Sequence, residues 1–490
     1  TGATGDVITG AGVIAFADHK VFLVGAGSDY TTIQAAIDAA SSGDTIQIAS
    51  GTYNENLALN GKYLTLQGVD DTGINATTLT GQINASGTLD GTLTIKNMAI
   101  DATGHDYGVN VTANSTAYAG SIVLDNTTIS GAQSNGFAYV RQGNGSTPTL
   151  TDTVGAITIT NSEFFNNATL TSPAGGRGDI LLFGYNKNLT ISDVIIRDAG
   201  AFAQKAIQVR GLQDGGDVTG VGPYDAGGNI ALTNLTVTGS YTQDLLAFYR
   251  IASFATFTTS GVVITASAPW GLFNFDSVGG TIDLSTGVTA TNLAPGSDVA
   301  VLQGLSSTDT LIGTSGDDNF VGRVGADSLN GGAGNDTFAG FAGADSVDGG
   351  NDTDTIILTA AANDLAGATN AQIVNVEAVS AAGVATGITI DLHNQSEGFA
   401  ITGGSGADTI TGGAGADTIN AGTGIDTVAY TTTQASHTIA WNGTTATITG
   451  GTDTGATGDV ITNAGVIAFA DHKVFLVGAG SDYTTIQAAI

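Results

Sequence analysis

The 490-residue chain has no cysteine, one methionine, 5 prolines and only 12 lysines plus arginines. Each shortage excludes something. Without cysteine there can be no disulfide staple, no thiolate metal site and no thiol nucleophile. The few cations face 44 acidic side chains, a net charge of -32 that repels nucleic acid and anionic lipid. Nucleic acid is therefore excluded as a partner. No stretch of 18 apolar residues occurs, so no membrane insertion is expected. Charged residues amount to only 11%, yet 41% of the chain is hydrophobic, which is too apolar for a disordered segment. Glutamate is scarce as well: apart from Glu55, Glu163, Glu377 and Glu397, every acid is aspartate. That short carboxylate suits tight turns and oxygen-liganded cations.

What is abundant is glycine, with 73 residues, together with Thr, Ala, Asp and Asn. Such a composition in so long a chain favours an elongated solenoid over one compact core. The chain also repeats itself. Residues 1–37, TGATGDVITGAGVIAFADHKVFLVGAGSDYTTIQAAI, return at 454–490 with one change, Gly10 to Asn463. Identity at that length implies a tandem array of long modules, of which this chain holds slightly more than one period. A chain that starts at Thr1 and has Met98 as its sole methionine is expected to be a piece of a longer polypeptide, with any secretion signal outside it.

In YTTIQAAIDAASSGDTIQIASGTYNENLAL, residues 30–59, Thr31 or Thr32 can cap a short helix with Ile33, Ala36, Ile37 and Ala40 on one face. Short alternating strands follow. Strand pairs then recur around Gly68, Asn97, Asn126, Asn161, Asp193, Asn234 and Gly261, at gaps of 29, 29, 35, 32, 41 and 27 residues. Apolar residues beside these positions are expected to stack inside successive coils. The asparagines are expected to hold left-handed turns and to hydrogen-bond up the axis. The helix followed by GDTIQIASGTY resembles the N-terminal cap and first coils of pectin-lyase-like right-handed parallel β-helices.

From Gly304 the spacing tightens to nine: GLSSTDTLI, GTSGDDNFV, GRVGADSLN, GGAGNDTFA, GFAGADSVD and GGNDTDTII, then GGSGADTIT, GGAGADTIN and AGTGIDTVA up to Ala429. The phase of G-G-x-G-x-D-x-U-x puts Asp309, Asp318, Asp327, Asp336, Asp345, Asp354, Asp408, Asp417 and Asp426 in equivalent places. These nonads resemble the RTX, or haemolysin-type, calcium-binding repeats. Glycines in the six-residue turn admit positive φ and bring backbone carbonyls together, and the apolar residue of the three-residue strand points inward. Two nonads complete a coil, so each Asp meets the one 18 residues later. Ca2+ is the expected cofactor, bridging Asp318 to Asp336, Asp327 to Asp345 or Asp408 to Asp426. Without it stacked carboxylates repel, and this part is expected to need the metal to fold. Asp309 and Asp354 lie in degenerate nonads, where Ser307 and Asp352 replace glycine.

The expected fold is thus all-β: a right-handed parallel β-helix (pectin-lyase-like) followed by a calcium-binding parallel β-roll and closing β strands. In residues, 1–26 is the tail of a preceding module, and 27–303 the parallel β-helix with its helix cap. An RTX roll at 304–357, bridging strands at 358–402 and a second RTX block at 403–429 come next. A closing β region at 430–479 and the start of a following module at 480–490 complete the chain. The resemblance implies a bacterial surface, filament or adhesin-type protein, secreted by the type I route and built from rods joined end to end. Its expected partners are copies of itself, head to tail, with cell-surface or matrix polysaccharide as a second kind of partner. Catalysis is not expected. A β-helix followed by RTX repeats also resembles alginate epimerases and some pectate lyases, which makes a polysaccharide lyase, an epimerase or a carbohydrate-binding protein the alternative. The basic residues Arg141, Arg177, Lys187, Arg197, Lys205, Arg210 and Arg250, with His105-Asp106-Tyr107, would serve such chemistry, but the epimerase signature Tyr-Gly-x-Asp-Pro-His is absent. His19, His393, His437 and His472 are read as structural strand residues, and Arg177-Gly178-Asp179 as coincidence.

Overall fold

The computed structural model describes residues 12–71, 74–87, 90–114, 120–142, 155–169, 178–183, 188–197, 203–210, 228–243, 245–254, 256–267, 273–284, 288–291, 300–303, 308–322, 325–342, 344–359 and 365–489. Their contacts divide into two units, one within residues 1–278 and 286–297, the other within 279–285 and 298–490.

The first unit is a parallel β-helix. A coil runs through a strand pair such as Leu93–Asp101, turns, and returns through a third strand such as Tyr107–Asn114. The next coil, Ile122–Ser130 and Asn135–Gln142, lies on it in parallel register, with Leu93 opposite Ile122 and Val109 opposite Phe137. Coil length follows the sequence spacing. Gln67 faces Lys96, Lys96 faces Asp125, and the register continues through Thr160, Ser192, Thr233 and Ser260. Parallel register stacks one apolar residue per coil, giving the buried columns Ile95, Leu124, Ile159, Ile191, Leu232 and Ile100, Ile129, Phe164, Ile196, Val237, Ile264. Branched and aromatic side chains suit such a half-extended surface, and each column continues the core along the axis.

The turn between paired strands holds Asn97, Asn126, Asn161, Asp193 and Asn234 at φ between 47° and 57°, as expected. The expected axial ladder is broken into shorter links. Asn126 donates to Asn97 at 3.1 Å and Asn234 to Asp193 at 2.9 Å, but Asn161 donates to the Asp125 carboxylate at 2.9 Å. A charged acceptor outcompetes the neutral amide of Asn126. The two glycines also differ. Gly261 is left-handed at φ 63°, whereas Gly68 is there for space, since a Cβ would fall 2.1 Å from the Asn97 carbonyl oxygen.

The helix Ile33–Ala39 caps the coils. Its N-cap is Thr32, whose hydroxyl accepts the Ala35 amide, and it buries Ile33, Ala36 and Ile37. Glu55 accepts the Ile33 and Gln34 amides at 2.8 and 2.9 Å, satisfying donors that have no partner within the helix.

The second unit stacks short strands of three to six residues. Asn319–Val321, Thr337–Ala339 and Thr355–Ile357 form one sheet, while Thr310–Ile312, Ser328–Ala333 and Ser346–Asn351 form another. Neighbours in a sheet are one coil, or two nonads, apart. One apolar residue of each strand, among them Leu311, Phe320, Leu329, Phe338, Val347 and Ile356, is buried, and Phe320 stacks on Phe338 at 4.8 Å. Residues beyond 358 continue this stack. Thr355 faces Ala378, Ala378 faces Ala400 and Ala400 faces Thr418, so wider coils carry the sheet between the two blocks of nonads. After Ala429 the pattern becomes antiparallel. His437–Trp441 pairs with Thr445–Gly450, which pairs with Asp459–Thr462. Val466–Ala468 then pairs in parallel with Thr427–Ala429 and antiparallel with Lys473–Phe475. No helix among the described residues is long and apolar enough to cross a membrane.

Candidate metal centre

All nine aspartates picked out by the nonad phase are at most 1% exposed. They form rows along two edges of the second unit. On one edge the Asp309 amide donates to Asp327 Oδ1 at 2.9 Å and the Asp327 amide to Asp345 Oδ1 at 2.9 Å. On the other, the Ala300, Asp318 and Asp336 amides donate to the Oδ1 atoms of Asp318, Asp336 and Asp354 at 2.7, 2.8 and 2.7 Å. Later coils repeat the device, Ile388 to Asp408, Asp408 to Asp426 and Phe399 to Asp417. Despite their degenerate nonads, Asp354 both accepts and donates in its row, and Asp309 joins its row through its amide.

One oxygen of each of the other eight carboxylates, Asp309 apart, thus closes a backbone turn. The other decides the chemistry. In Asp318, Asp345 and Asp408, Oδ2 accepts an amide of its own turn, from Thr314, Ala342 and Gly404 respectively. In Asp327, Asp336, Asp354, Asp417 and Asp426, Oδ2 is buried with no hydrogen-bond partner. A buried anionic oxygen without a donor is costly. Burial, aided by repulsion between neighbours in a row, pushes Asp336 up to about 8, Asp417 up to about 7, and Asp327, Asp354 and Asp426 up to about 6. A divalent cation removes that cost by supplying the missing positive charge. Among the described residues no three acidic or imidazole side chains converge on one point. The donor set for a cation is therefore one or two carboxylates with backbone carbonyls, an all-oxygen set that fits calcium.

The glycines maintain this spacing by two different means. At Gly331, the first residue of its nonad, a Cβ would lie 2.1 Å from Asp336 Oδ2 and 2.4 Å from the Gly349 carbonyl. Gly332, the second residue, has φ 103°. Positive φ, expected for the turn as a whole, is thus not what the leading glycine supplies. Gly331→Ala is expected to destabilise the second unit by about 1–3 kcal/mol through overpacking and to weaken its response to calcium. Thermal melts across a calcium titration check this, and an unchanged midpoint and response would refute it.

Three further carboxylates extend the rows. Glu377 accepts the Asp354 amide at 2.8 Å, Asp459 the Asp417 amide at 2.9 Å and Asp482 the Asp426 amide at 2.7 Å. They lie 23, 42 and 56 residues beyond their partners, so a nine-residue count misses them. A signal did exist for two of them. Glu377-Ala378-Val379 and Asp459-Val460-Ile461 repeat the order of the nonad strand, an acid, then any residue, then an apolar one. Asp459 is also bound by the Tyr430 hydroxyl at 2.7 Å.

The described basic groups considered for polysaccharide chemistry rest against side chains of neighbouring coils. Arg197 pairs with Glu163 and lies 5.5 Å over Phe165, Lys205 is buried over Tyr249, and Arg210 lies over Phe183. Arg177 and Lys187, and the side chains of Arg141 and Arg250, lie outside the described residues. A cleft of about 340 Å³ is lined by Asn75, Asn126, Thr128, Asn161, Ser162, Glu163, Asp193 and Ile195. Ser192 and Asn234 hydrogen bonds hold the Asp193 carboxyl below the usual range. Asp179 is buried against Asn167, so the Arg177-Gly178-Asp179 tripeptide does not present its carboxylate. Of the histidines, only His437 lies in a strand, paired with Asp453 at 2.9 Å. His19, His393 and His472 sit outside strands beside Asp18, Asp391 and Asp471.

Fold and site together define a parallel β-helix and a roll whose turns are calcium-binding repeats. A family model described as RTX calcium-binding nonapeptide repeat matches residues 296–329, 303–338, 321–356 and 400–428, and the chain carries these calcium-binding repeats. No curated protein matches the chain. Among solved structures it is similar to the pectin methylesterase from Aspergillus niger in deglycosylated form, at 16% identity and a TM-score of 0.27. That similarity covers 59% of this chain and 78% of the esterase. The same esterase in penultimately deglycosylated form gives a TM-score of 0.26.

Proposed function

We propose that the chain is a structural module of a secreted bacterial surface, filament or adhesin-type protein, folded around calcium and joined head to tail into a stiff rod without catalytic activity. The proposed ligands are Asp309, Asp318, Asp327, Asp336, Asp345, Asp354, Asp408, Asp417 and Asp426, completed by turn carbonyls. The observation that carries this reading is the row of buried Asp Oδ2 atoms with no donor, which gives a cation a folding role in the repeats. Calcium abundant outside the cell would then act as the signal to fold after export. The 37-residue duplication supports end-to-end repetition, since a scaffold gains reach from unchanged copies.

The test is made on purified protein in calcium and in excess chelator. Small-angle scattering should show an extended particle only in calcium, and alginate or pectate should yield no unsaturated or epimerised sugar. A chelator-insensitive particle would remove the calcium role, and sugar product would overturn the structural reading.

A further inference from the structure

Residues 12–36 and 465–489 of the duplicated segment fold the same way in two different surroundings. The Phe16 amide donates to the His19 carbonyl at 2.9 Å and the Phe469 amide to His472 at 2.8 Å. Leu23 donates to Gly12 at 2.8 Å, and Leu476 to Gly465 at 2.9 Å. Gly25 donates to Tyr30 at 3.0 Å, and Gly478 to Tyr483 at 2.9 Å. Each copy is a hairpin, Val13–Ala15 with Lys20–Val24 or Val466–Ala468 with Lys473–Phe475, followed by a bridge and a helix.

The two copies are covered on opposite faces. In the second copy the leading strand pairs with Thr427–Ala429 of the roll, Phe469 stacks on Tyr430 at 5.4 Å, and Asp482 accepts the Asp426 amide. There Val466 and Phe469 are 6% and 7% exposed, whereas their counterparts Val13 and Phe16 are 38% and 55% exposed. In the first copy the trailing strand instead pairs in parallel with Thr45–Ile48, and the helix packs on the coils. There Phe22 and Ile33 are 3% and 0% exposed, whereas Phe475 and Ile486 are 47% and 71% exposed. Apolar residues left open in one copy are thus the ones closed in the other, and the hairpin itself is unchanged.

We propose that residues 454–490 are a joint whose open face receives residues 38–59 of a second copy of this module. The trailing strand, Lys473–Phe475 with its extension to Val477, would pair with the counterpart of Thr45–Ile48, as Lys20–Val24 does. One hairpin then closes the roll before it and opens the β-helix after it. The sheet runs from Thr427–Ala429 through the hairpin into the next module with no flexible linker. The same geometry places Asp29 to accept the amide of a preceding module's Asp426, as Asp482 does here, so the carboxylate row ends on the joint. An exposed strand edge beside apolar side chains is thereby removed. This rests on the head-to-tail reading and specifies its interface.

The absence of cysteine allows a direct test. A two-module chain is made by following residues 1–490 with residues 38–490, so that one hairpin is shared. Single thiols are placed as Phe475→Cys and Ile486→Cys, with Phe16→Cys as a control that no preceding roll covers. All three should label rapidly in the 490-residue chain. In the two-module chain the first two should label at least tenfold more slowly, while Phe16→Cys stays fast. Deuterium uptake in the unsubstituted two-module chain needs no mutation. Peptides spanning 463–477 occur twice and should split into a protected and an unprotected population. Unchanged labelling together with a single unprotected population would overturn the joint. A closed joint in a particle that scatters as bent would keep the joint and defeat the stiff rod; an open joint in an extended particle would do the reverse.

Discussion

Removing calcium at pH 8 should unfold the coils from Ala300 to Asp482, and lowering the pH to about 5 without calcium should restore them. The sign follows from the carboxylates. Unfolded aspartate ionises near 3.9, whereas burial raises Asp327, Asp354 and Asp426 to about 6, Asp417 to about 7 and Asp336 to about 8 in the folded metal-free protein. The folded state then holds protons more tightly than the unfolded one. The resulting stability is complete below the unfolded value and is lost as the pH rises through the folded values, from about 6 to about 8. Calcium competes with those protons, so its affinity should rise over the same range. Groups with the opposite shift do not interfere at pH 5. The Asp453 carboxyl is half-buried, yet hydrogen bonds from His437, Thr432 and Thr431 hold it below the usual aspartate range. Its contribution is lost only as the pH falls through that lower value. Circular dichroism and limited proteolysis across pH, with calcium and with chelator, check the prediction. A metal-free roll that is more stable at pH 8 than at pH 5 would contradict it. The Asn-turn coils, with their apolar columns, should outlast the roll on chelation.

Asp336→Asn should reverse the behaviour of its own turn. Asparagine keeps an oxygen to accept the Asp318 amide and removes the charge from the carboxylate that burial raises to about 8. The metal-free protein at pH 8 should gain on the order of 1–3 kcal/mol, because the amide in place of the carboxylate leaves no unpaired charge buried. The calcium-bound protein should lose stability, because a neutral amide is a poorer ligand for a hard cation. Paired melts in calcium and chelator should therefore shift in opposite directions. A loss of stability in both conditions would show that the Asp336 charge is held by protein groups and not by metal.

Different parts of the molecule were legible to different depths. The helix cap was readable because Thr32, Ile33, Ala36 and Ile37 act locally, through a capping bond and one apolar face. The coil lengths were readable because a parallel register turns sequence spacing directly into stacking, so the gaps between Gly68 and Gly261 reappear as strand offsets. The asparagine ladder was only half readable. Its left-handed turns are a local property, but Asn161 chose Asp125 over Asn126 through a contact between coils. The first glycine of a nonad was half readable: close approach of backbone carbonyls was expected and Gly349 supplies it, but the positive φ is absent and crowding by Asp336 is visible only once coils are stacked.

By itself the sequence determined that the chain is a solenoid with aspartate turns at period nine, since repetition and composition are properties of the chain alone. It also determined which nine aspartates lie in equivalent turns. Only the tertiary structure decided which of their oxygens lack donors, because Thr314, Ala342 and Gly404 satisfy some turns and leave others open. It alone brought Glu377, Asp459 and Asp482 into the same rows, across intervals no period predicts. And it alone gave two identical hairpins different exposed faces, because burial is set by neighbouring coils that the repeated sequence does not contain.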